Sequence, residues 1–314
     1  MATVQSAPAT AAPPFSVVVE PSAGLSPIHA LLAGAHRSLD LTMYELVDPV
    51  SERLLATDAA RGVRVRVLLD RTDEERRNAA AFSYLAAHAV AVRWASDRYT
   101  RTHEKAAVID GTTALVMTLN LVTADYAGTR DFALADHLPV DVSAIESVFS
   151  ADWQGAATPT PTGSDLVWSP GAEAPLVALI DGARRQLLVE NEEMDDPYIT
   201  RPLEQAARRG VDVEIVMTED SEWATAFDAL AAAGAHVRTY AESAPLYIHA
   251  KAIVADPGGA GARAFVGSQN FSIASLVYNR ELGVETSSGA VVAPLAGALA
   301  ADFAGARPWA VSPR

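Results

Sequence analysis

Apolar residues recur along the chain at spacings that predict alternating helices and strands. Ser26 is the predicted N-cap of the first helix, and Gly62 closes the second. Val63, Val65 and Val67 alternate with arginines, which is typical of a half-buried strand. The predicted elements of this stretch are a helix over 27–36, a strand over 39–44, a helix over 51–61, a strand over 63–67, a helix over 79–88 and a strand over 90–94. Their alternation predicts a layered α/β fold with largely parallel strands.

The same pattern occurs a second time further along the chain. Residues 36–49 are matched by 184–197, and 59–65 are matched by 207–213, both at an offset of 184 − 36 = 148 positions. A period of this length exceeds that of solenoid repeats and indicates a duplicated domain. The predicted organisation is a disordered leader over 1–14, an N-terminal repeat over 15–155, a linker over 156–170 and a C-terminal repeat over 171–314.

The composition is that of a globular protein with excess negative charge. Half of the residues are hydrophobic, and 24 Lys and Arg stand against 39 Asp and Glu, which gives a formal net charge of −15. This charge repels polyanions at long range, so we do not expect a protein that coats nucleic acid. The absence of cysteine excludes disulfides, thiolate metal sites and a cysteine nucleophile. No apolar run reaches the length of a membrane span.

The leader is rich in Ala, Pro and Thr and has neither the basic nor the apolar region of an intact signal peptide. It fits the mature start of an exported protein, and it also fits a disordered cytoplasmic tail. The compartment therefore stays open, with a secreted or cell-envelope location slightly favoured. We expect a monomer.

The candidate chemistry lies in a His-x-Lys-x4-Asp motif that occurs at 103–110 and again at 249–256. In each copy the His and the Lys are two positions apart at the start of a strand-like run, so both side chains lie on one face. Of the 24 basic residues only two are lysines, Lys105 and Lys251, and each follows a histidine by two positions. Chance placement does not account for this coincidence, and we take His103, His249 and the two lysines as the candidate catalytic residues.

A hydroxyl and a carboxamide follow each motif at matching places. They are Thr118 and Asn120 in the first copy, and Ser268 and Asn270 in the second. An imidazole, an ammonium, a hydroxyl and an amide aimed at one point provide a nucleophile or acid and several donors to phosphate oxygens. The four residues are therefore candidates for substrate binding in a phosphoryl-transfer site.

Carboxylates are predicted to complete the site. Asp131 and Glu281 each follow an arginine, and a carboxylate there can hold the far ring nitrogen of each histidine and fix its tautomer. The acidic segment 192–196 resembles a metal cluster, but a solvated loop at the mouth of the cleft is the preferred interpretation. We expect neither a metal nor a cofactor. The sequence does not decide whether four aromatic residues line the cleft or belong to the core. They are Trp94, Tyr99, Trp223 and Tyr247.

Together these motifs resemble the phospholipase D superfamily, whose pattern is His-x-Lys-x4-Asp followed by Gly-Ser-x-Asn. The resemblance covers about 15–303 and implies two α/β/α sandwich halves related by a pseudo-two-fold axis. It implies that the two histidines face each other in one site and attack a phosphodiester without a metal. The family's usual order makes His103 the nucleophile and His249 the general acid, and it gives Asp110 and Asp256 structural roles. One departure is Met117 in place of glycine, which is expected to take up room where the backbone would approach the phosphate.

The leading functional hypothesis is a phosphodiesterase that hydrolyses phospholipids or transfers the phosphatidyl group to an alcohol. A first alternative is a nuclease on single-stranded ends, which needs a local groove of arginines. A second alternative is an inactive module that binds an anionic ligand in the cleft. The candidate groove residues are Arg98, Arg101, Arg130 and Arg280.

Overall fold

The structure is a computed structural model that describes residues 13–157, 159–161 and 163–311. Residues 1–12 of the predicted leader lie outside the described part. The strands of the first half are β1 (Phe15–Glu20), β2 (Ser38–Met43), β3 (Leu46–Val47), β4 (Arg64–Leu69), β5 (Ala91–Trp94), β6 (Ala106–Ile109), β7 (Thr113–Met117), β8 (Leu121–Val122) and β9 (Thr129–Asp136). Its helices are α1 (Ser26–Ala33), α2 (Pro49–Ala60), α3 (Glu75–Ala87) and α4 (Pro139–Trp153).

The second half repeats most of this order, without a counterpart of the β3–β8 pair and with one more strand at its end. Its strands are β10 (Leu166–Ser169), β11 (Gln186–Glu190), β12 (Asp212–Thr218), β13 (His236–Tyr240), β14 (Tyr247–Ile248), β15 (Ala252–Ala255), β16 (Arg263–Gly267), β17 (Glu281–Thr286) and β18 (Arg307–Pro308). Its α-helices are α5 (Glu173–Gly182), α6 (Pro197–Arg208), α7 (Ala224–Ala232) and α8 (Gly289–Gly305). A 3-10 turn at Ser221–Trp223 and a π-helical turn at Ala274–Tyr278 complete the elements.

The two large sheets have matching strand orders, which confirms the duplicated α/β architecture. The first runs β1-β9-β7-β6-β2-β4-β5 and the second runs β10-β17-β16-β15-β11-β12-β13-β18. Only β2-β4-β5 and β11-β12-β13 are parallel runs within these orders, so the prediction of largely parallel strands was wrong. The motif strands β6 and β7 are joined by residues 110–112 alone. So short a connection permits only an antiparallel hairpin, because a parallel crossover needs about a dozen residues or more.

Three large hydrophobic clusters of the described residues hold these layers together, and a small fourth contains Val216, Ile248 and Ala306. One lies between the first sheet and α1–α3, and a second lies between the second sheet and α5–α7. The third contains the opposite face of both sheets together with α4 and α8, so it joins the halves. Each sheet is thus covered by helices on both faces, which agrees with the predicted sandwich.

Several predicted boundaries differ from the observed ones. Ser26 is the first residue of α1 rather than its cap. The second helix begins two residues earlier than predicted, because the Asp48 carboxylate accepts the backbone N–H groups of Val50 and Ser51 at 3.1 and 3.0 Å. The end of the predicted linker forms β10, an edge strand of the second sheet.

The motif aspartates fasten each hairpin to the start of the central strand. Asp110 and Asp256 adopt left-handed conformations at φ 56° and 50°. The Asp110 carboxylate accepts the backbone N–H of Arg37 at 2.6 Å, and that of Asp256 accepts the N–H of Arg185 at 2.7 Å. Both carboxylates are therefore occupied by backbone N–H groups beside β2 and β11.

Candidate active site

The two motifs meet between the halves, and their histidines are held crosswise. His103 of the first half has its Nδ1 at 2.9 Å from Glu281 Oε2 of the second half. His249 of the second half has its Nδ1 at 2.8 Å from Asp131 Oδ1 of the first half. All four predicted residues are therefore brought together, and each orienting carboxylate serves the opposite half.

Backbone contacts between the halves produce this exchange. Strand β14 pairs in parallel with β9 of the first sheet, so the segment before His249 joins the opposite half. The His249 N–H donates to the carbonyl of Arg130 at 3.3 Å, and the His103 N–H donates to the carbonyl of Arg280 at 3.0 Å. The backbone N–H of each histidine is thus bonded to the residue that directly precedes its carboxylate partner in the sequence.

The two lysines are buried beside their histidines but have different surroundings. Their exposed fractions are 1% for Lys105 and 0% for Lys251. Lys105 Nζ donates to the carbonyl of His103 at 2.6 Å and lies 4.9 Å from the centre of the Tyr44 ring. Lys251 Nζ donates to the carbonyl of His249 at 2.5 Å and also to Glu192 Oε2 at 2.9 Å. An ion pair therefore balances the charge of the second lysine.

Burial changes the protonation of the first-half pair. Desolvation lowers the pKa of His103 to about 4, although the charge of Glu281 acts in the opposite direction. Desolvation also lowers the pKa of Lys105 to about 7. At neutral pH the imidazole of His103 is neutral, and a nucleophile requires this form.

The predicted hydroxyl ligands are bonded within the protein. Thr118 Oγ1 donates to Asp131 Oδ1 at 2.5 Å and accepts the N–H of Phe132 at 2.9 Å. Ser268 Oγ accepts the N–H of Leu282 at 3.2 Å, and both Thr118 and Ser268 have an exposed fraction of 0%. This geometry favours support of the site over contact with substrate, in contrast to the predicted role.

The two amides lie closer to open space. Asn120 lines a cavity of about 440 Å³ together with His249 and Asp131. Asn270 borders a cavity of about 280 Å³ together with His103, and its Nδ2 donates to Glu193 Oε1 at 2.9 Å. Within the described residues, Oδ1 of each amide has no hydrogen-bond partner. Contact of the two amides with substrate stays a prediction.

Glu192 is a site residue that the sequence analysis missed. Its carboxylate contacts Lys251 and lies 3.6 Å from His249 Nε2. The solvated loop predicted for 192–196 is only partly observed, because Asp195 is exposed but Met194 and Asp196 are both fully buried and Asp196 caps α6. The repeat contained a signal, since the offset of 148 aligns Glu192 with Tyr44, whose ring packs edge-on at 4.6 Å against His103.

Two further predictions are changed by the structure. Met117 is fully buried in the core beneath α1–α3, so its side chain does not crowd the phosphate position. The four arginines proposed for a groove are each bonded to protein groups. Their partners are the Gly155 carbonyl for Arg98, Asp73 for Arg101, Asp302 for Arg130, and Asp152 for Arg280.

In the described residues no group of three or more His, Cys, Asp or Glu side chains is placed to hold a metal ion. Helices long and apolar enough to cross a bilayer are also absent from residues 13–157, 159–161 and 163–311.

Sequence comparison finds the same duplication. A family model described as cardiolipin synthase, PLD-like domain, matches residues 28–153 and again 176–303. Mitochondrial cardiolipin hydrolase of Xenopus laevis is 33% identical over 124 residues, which are 39% of this chain and 58% of that protein. The Xenopus tropicalis protein of the same name is 34% identical over 125 residues, with 40% and 58% covered. The match thus spans less than two thirds of these relatives.

Solved structures share the fold across nearly the whole chain. Phosphatidylserine synthase of Haemophilus influenzae superposes with a TM-score of 0.69 at 11% identity, covering 94% of this chain and 87% of that one. Polyphosphate kinase of Porphyromonas gingivalis gives a TM-score of 0.70 at 15% identity, covering 92% and 50%. At these identities the likeness extends to the fold alone.

Proposed function

The chain belongs to the phospholipase D superfamily, and from this membership we propose that it is a metal-independent phosphodiesterase that acts through a phosphohistidine. The observation that carries the proposal is the pair of histidines, each held by a carboxylate of the opposite half and each beside a buried lysine. The lysine ammonium groups provide positive charge for the phosphate oxygens, which is the electrostatic requirement of phosphoryl transfer.

In the proposed reaction, Nε2 of neutral His103 attacks phosphorus while Glu281 holds its Nδ1 proton. The bond from phosphorus to the leaving oxygen breaks, and His249 donates a proton to that oxygen. His249 then accepts a proton from water or an alcohol, whose oxygen attacks the phosphohistidine and releases His103. The lowered pKa of His103, caused mainly by burial, supports its assignment as nucleophile. The assignment of His249 as the acid follows the family's usual order, and its Nδ1 lies 2.8 Å from Asp131 Oδ1, which can hold the ring in place.

We propose phospholipids as the substrates, with hydrolysis or phosphatidyl transfer as the outcome. Support comes from the names of the family model and of the Xenopus relatives, which refer to cardiolipin. A nuclease is less well supported, because the net charge is −15 and the four candidate arginines are engaged with protein groups. An inactive anion-binding module is the remaining alternative.

A substrate panel with purified protein tests this choice. We expect turnover of an aryl phosphodiester and of phosphatidylcholine or cardiolipin vesicles, and little cleavage of a labelled single-stranded oligonucleotide. His103→Ala and His249→Ala are the matched inactive controls. Rapid acid-free trapping and peptide mapping should find a phosphohistidine at position 103. An adduct at 249 that survives His103→Ala would reverse the two roles, and no turnover of any diester would favour the binding module.

A further inference from the structure

Glu192 lies where the second half is expected to bind a phosphate oxygen. Its Oε2 is 2.9 Å from Lys251 Nζ, 3.3 Å from Asn270 Nδ2 and 3.6 Å from His249 Nε2. Convergent ammonium, amide and imidazole donors are the groups that hold an anionic oxygen. The carboxylate oxygen thus stands in for an oxygen of the substrate phosphate, and we call this position the second-half anion seat.

The carboxylate is charged and has room to leave the seat. Burial acts to raise the pKa of Glu192, but the charges of Lys251 and His249 outweigh it and hold this pKa well below its ordinary value. The side chain is 23% exposed, and its Oε1 accepts the Tyr247 hydroxyl at 3.0 Å. Glu192 and Tyr247 also line a cavity of about 480 Å³ on the side of Glu219 and Asp220. A small rotation toward this cavity would open the seat while the charge stays nearby.

The first half has no such carboxylate at the equivalent place. Tyr44 occupies the position that the repeat aligns with Glu192, and its ring faces Lys105 and His103. The second-half anion seat therefore lies beside a carboxylate, whereas the equivalent position of the first half lies beside the neutral ring of Tyr44. A phosphate placed between the two halves meets the repulsion of Glu192 most strongly on the second-half side, where this carboxylate contacts Lys251 directly.

We propose that Glu192 makes the site selective for singly charged phosphodiesters over doubly charged phosphomonoesters. This inference rests on the proposed function, because it takes the His and Lys pairs as the phosphate site. A diester carries one negative charge, whereas a monoester carries nearly two above neutral pH. Coulomb repulsion grows with the product of the charges, so a neighbouring carboxylate opposes the dianion about twice as strongly. The selectivity would also help a monoester product to leave.

Binding of two small probes at about pH 8 tests the inference without any turnover. Dimethyl phosphate represents the diester and methyl phosphate the monoester, with dissociation constants measured by calorimetry or phosphorus NMR. We expect Glu192→Gln to tighten methyl phosphate binding by about 10-fold or more and dimethyl phosphate by only about 3-fold. The matched control is Glu219→Gln, whose carboxylate lines the same cavity but accepts from the Thr239 hydroxyl. The control should leave both constants unchanged within about 2-fold.

Equal gains for both probes, weaker binding by Glu192→Gln, or no detectable methyl phosphate binding by this variant would overturn the proposal. Unfolding curves must show that the variant is folded, and Glu192→Ala provides a second variant if it is not. Failure of the inference is distinguishable from failure of the proposed function. An active diesterase with an unchanged probe ratio refutes the role of Glu192 alone, whereas a selective but inactive protein refutes the enzyme alone.

Discussion

Replacing Lys105 by methionine should stabilise the folded protein while abolishing its activity. Burial lowers the pKa of Lys105 from its ordinary value of 10.5 to about 7. At about 1.4 kcal/mol for each pKa unit, the buried charge costs about 5 kcal/mol at most. Methionine has a similar volume and no charge, but the carbonyl of His103 loses its 2.6 Å bond to Nζ. We therefore expect a net gain of about 1–3 kcal/mol in the free energy of unfolding at pH 7.

The pH dependence of this gain distinguishes a charge effect from better packing. Because the folded pKa lies below the unfolded one, the unfolded state binds the Lys105 proton more tightly. The cost of the charge is therefore fully present below about pH 7, and it disappears as the pH rises toward 10.5. Urea denaturation at several pH values should show that the advantage of Lys105→Met shrinks in this range.

Lys251→Met is the matched comparison, because this lysine has an exposed fraction of 0% but is paired with Glu192. Removing it leaves a carboxylate without its ammonium, so we expect a loss of stability of about 1–3 kcal/mol. The reasoning is refuted if Lys105→Met is less stable than the wild type at pH 7. It is also refuted if the gain is the same at pH 7 and near pH 10.

Four further outcomes are expected in assays of turnover. Excess EDTA should leave the rate almost unchanged, and loss of activity that a divalent ion restores would contradict the mechanism. Lys105→Arg and Lys251→Arg should each lower kcat/KM by about 100-fold or more, because the larger, planar guanidinium group of arginine does not fit the place of a buried ammonium. Near-native turnover by either variant would contradict this. The kcat/KM profile should fall below about pH 4, where His103 gains a proton, and above about pH 7, where Lys105 loses one. Asp131→Asn should slow alkyl diesters by about 100-fold but activated aryl diesters much less, because Asp131 holds the proposed acid and an aryl leaving group needs less protonation. Glu281→Gln should slow both classes alike, because Glu281 holds the proposed nucleophile. Equal losses for both classes in Asp131→Asn would contradict this assignment of roles.

Local patterns in the sequence predicted the elements of the fold better than their pairing. The alternation of Val63, Val65 and Val67 predicted β4, and the 148-residue offset predicted two similar halves. The antiparallel strands were missed because they depend on the length of the connection between β6 and β7, which hydrophobic periodicity does not report. The start of α2 was also missed, although Asp48-Pro49 is an N-cap followed by a favourable first residue.

The chemistry of the site was predictable where it depended on rare residues, and less so where it depended on contacts between the halves. The spacing of the motif and the rarity of lysine together singled out both lysines and both histidines. The crosswise pairing was not, because Asp131 and Glu281 occupy equivalent places and nothing local shows which histidine each one reaches. Glu192 was misjudged for a different reason. Acidic runs are usually solvated, and only the fold shows that this carboxylate turns toward Lys251.

Duplication alone would give two equivalent histidines, but the proposed reaction needs one neutral and one charged ring. Positions 44 and 192 are aligned by the repeat but hold different residues. At position 44 an aromatic ring faces His103, whereas at position 192 a carboxylate faces His249. Tyr44 contributes bulk without negative charge, so burial dominates and lowers the pKa of His103. Glu192 places an anion beside the second pair and balances the charge of Lys251. One pair of positions can therefore account both for the division of roles between the histidines and for the opposite stability effects expected of the two lysines.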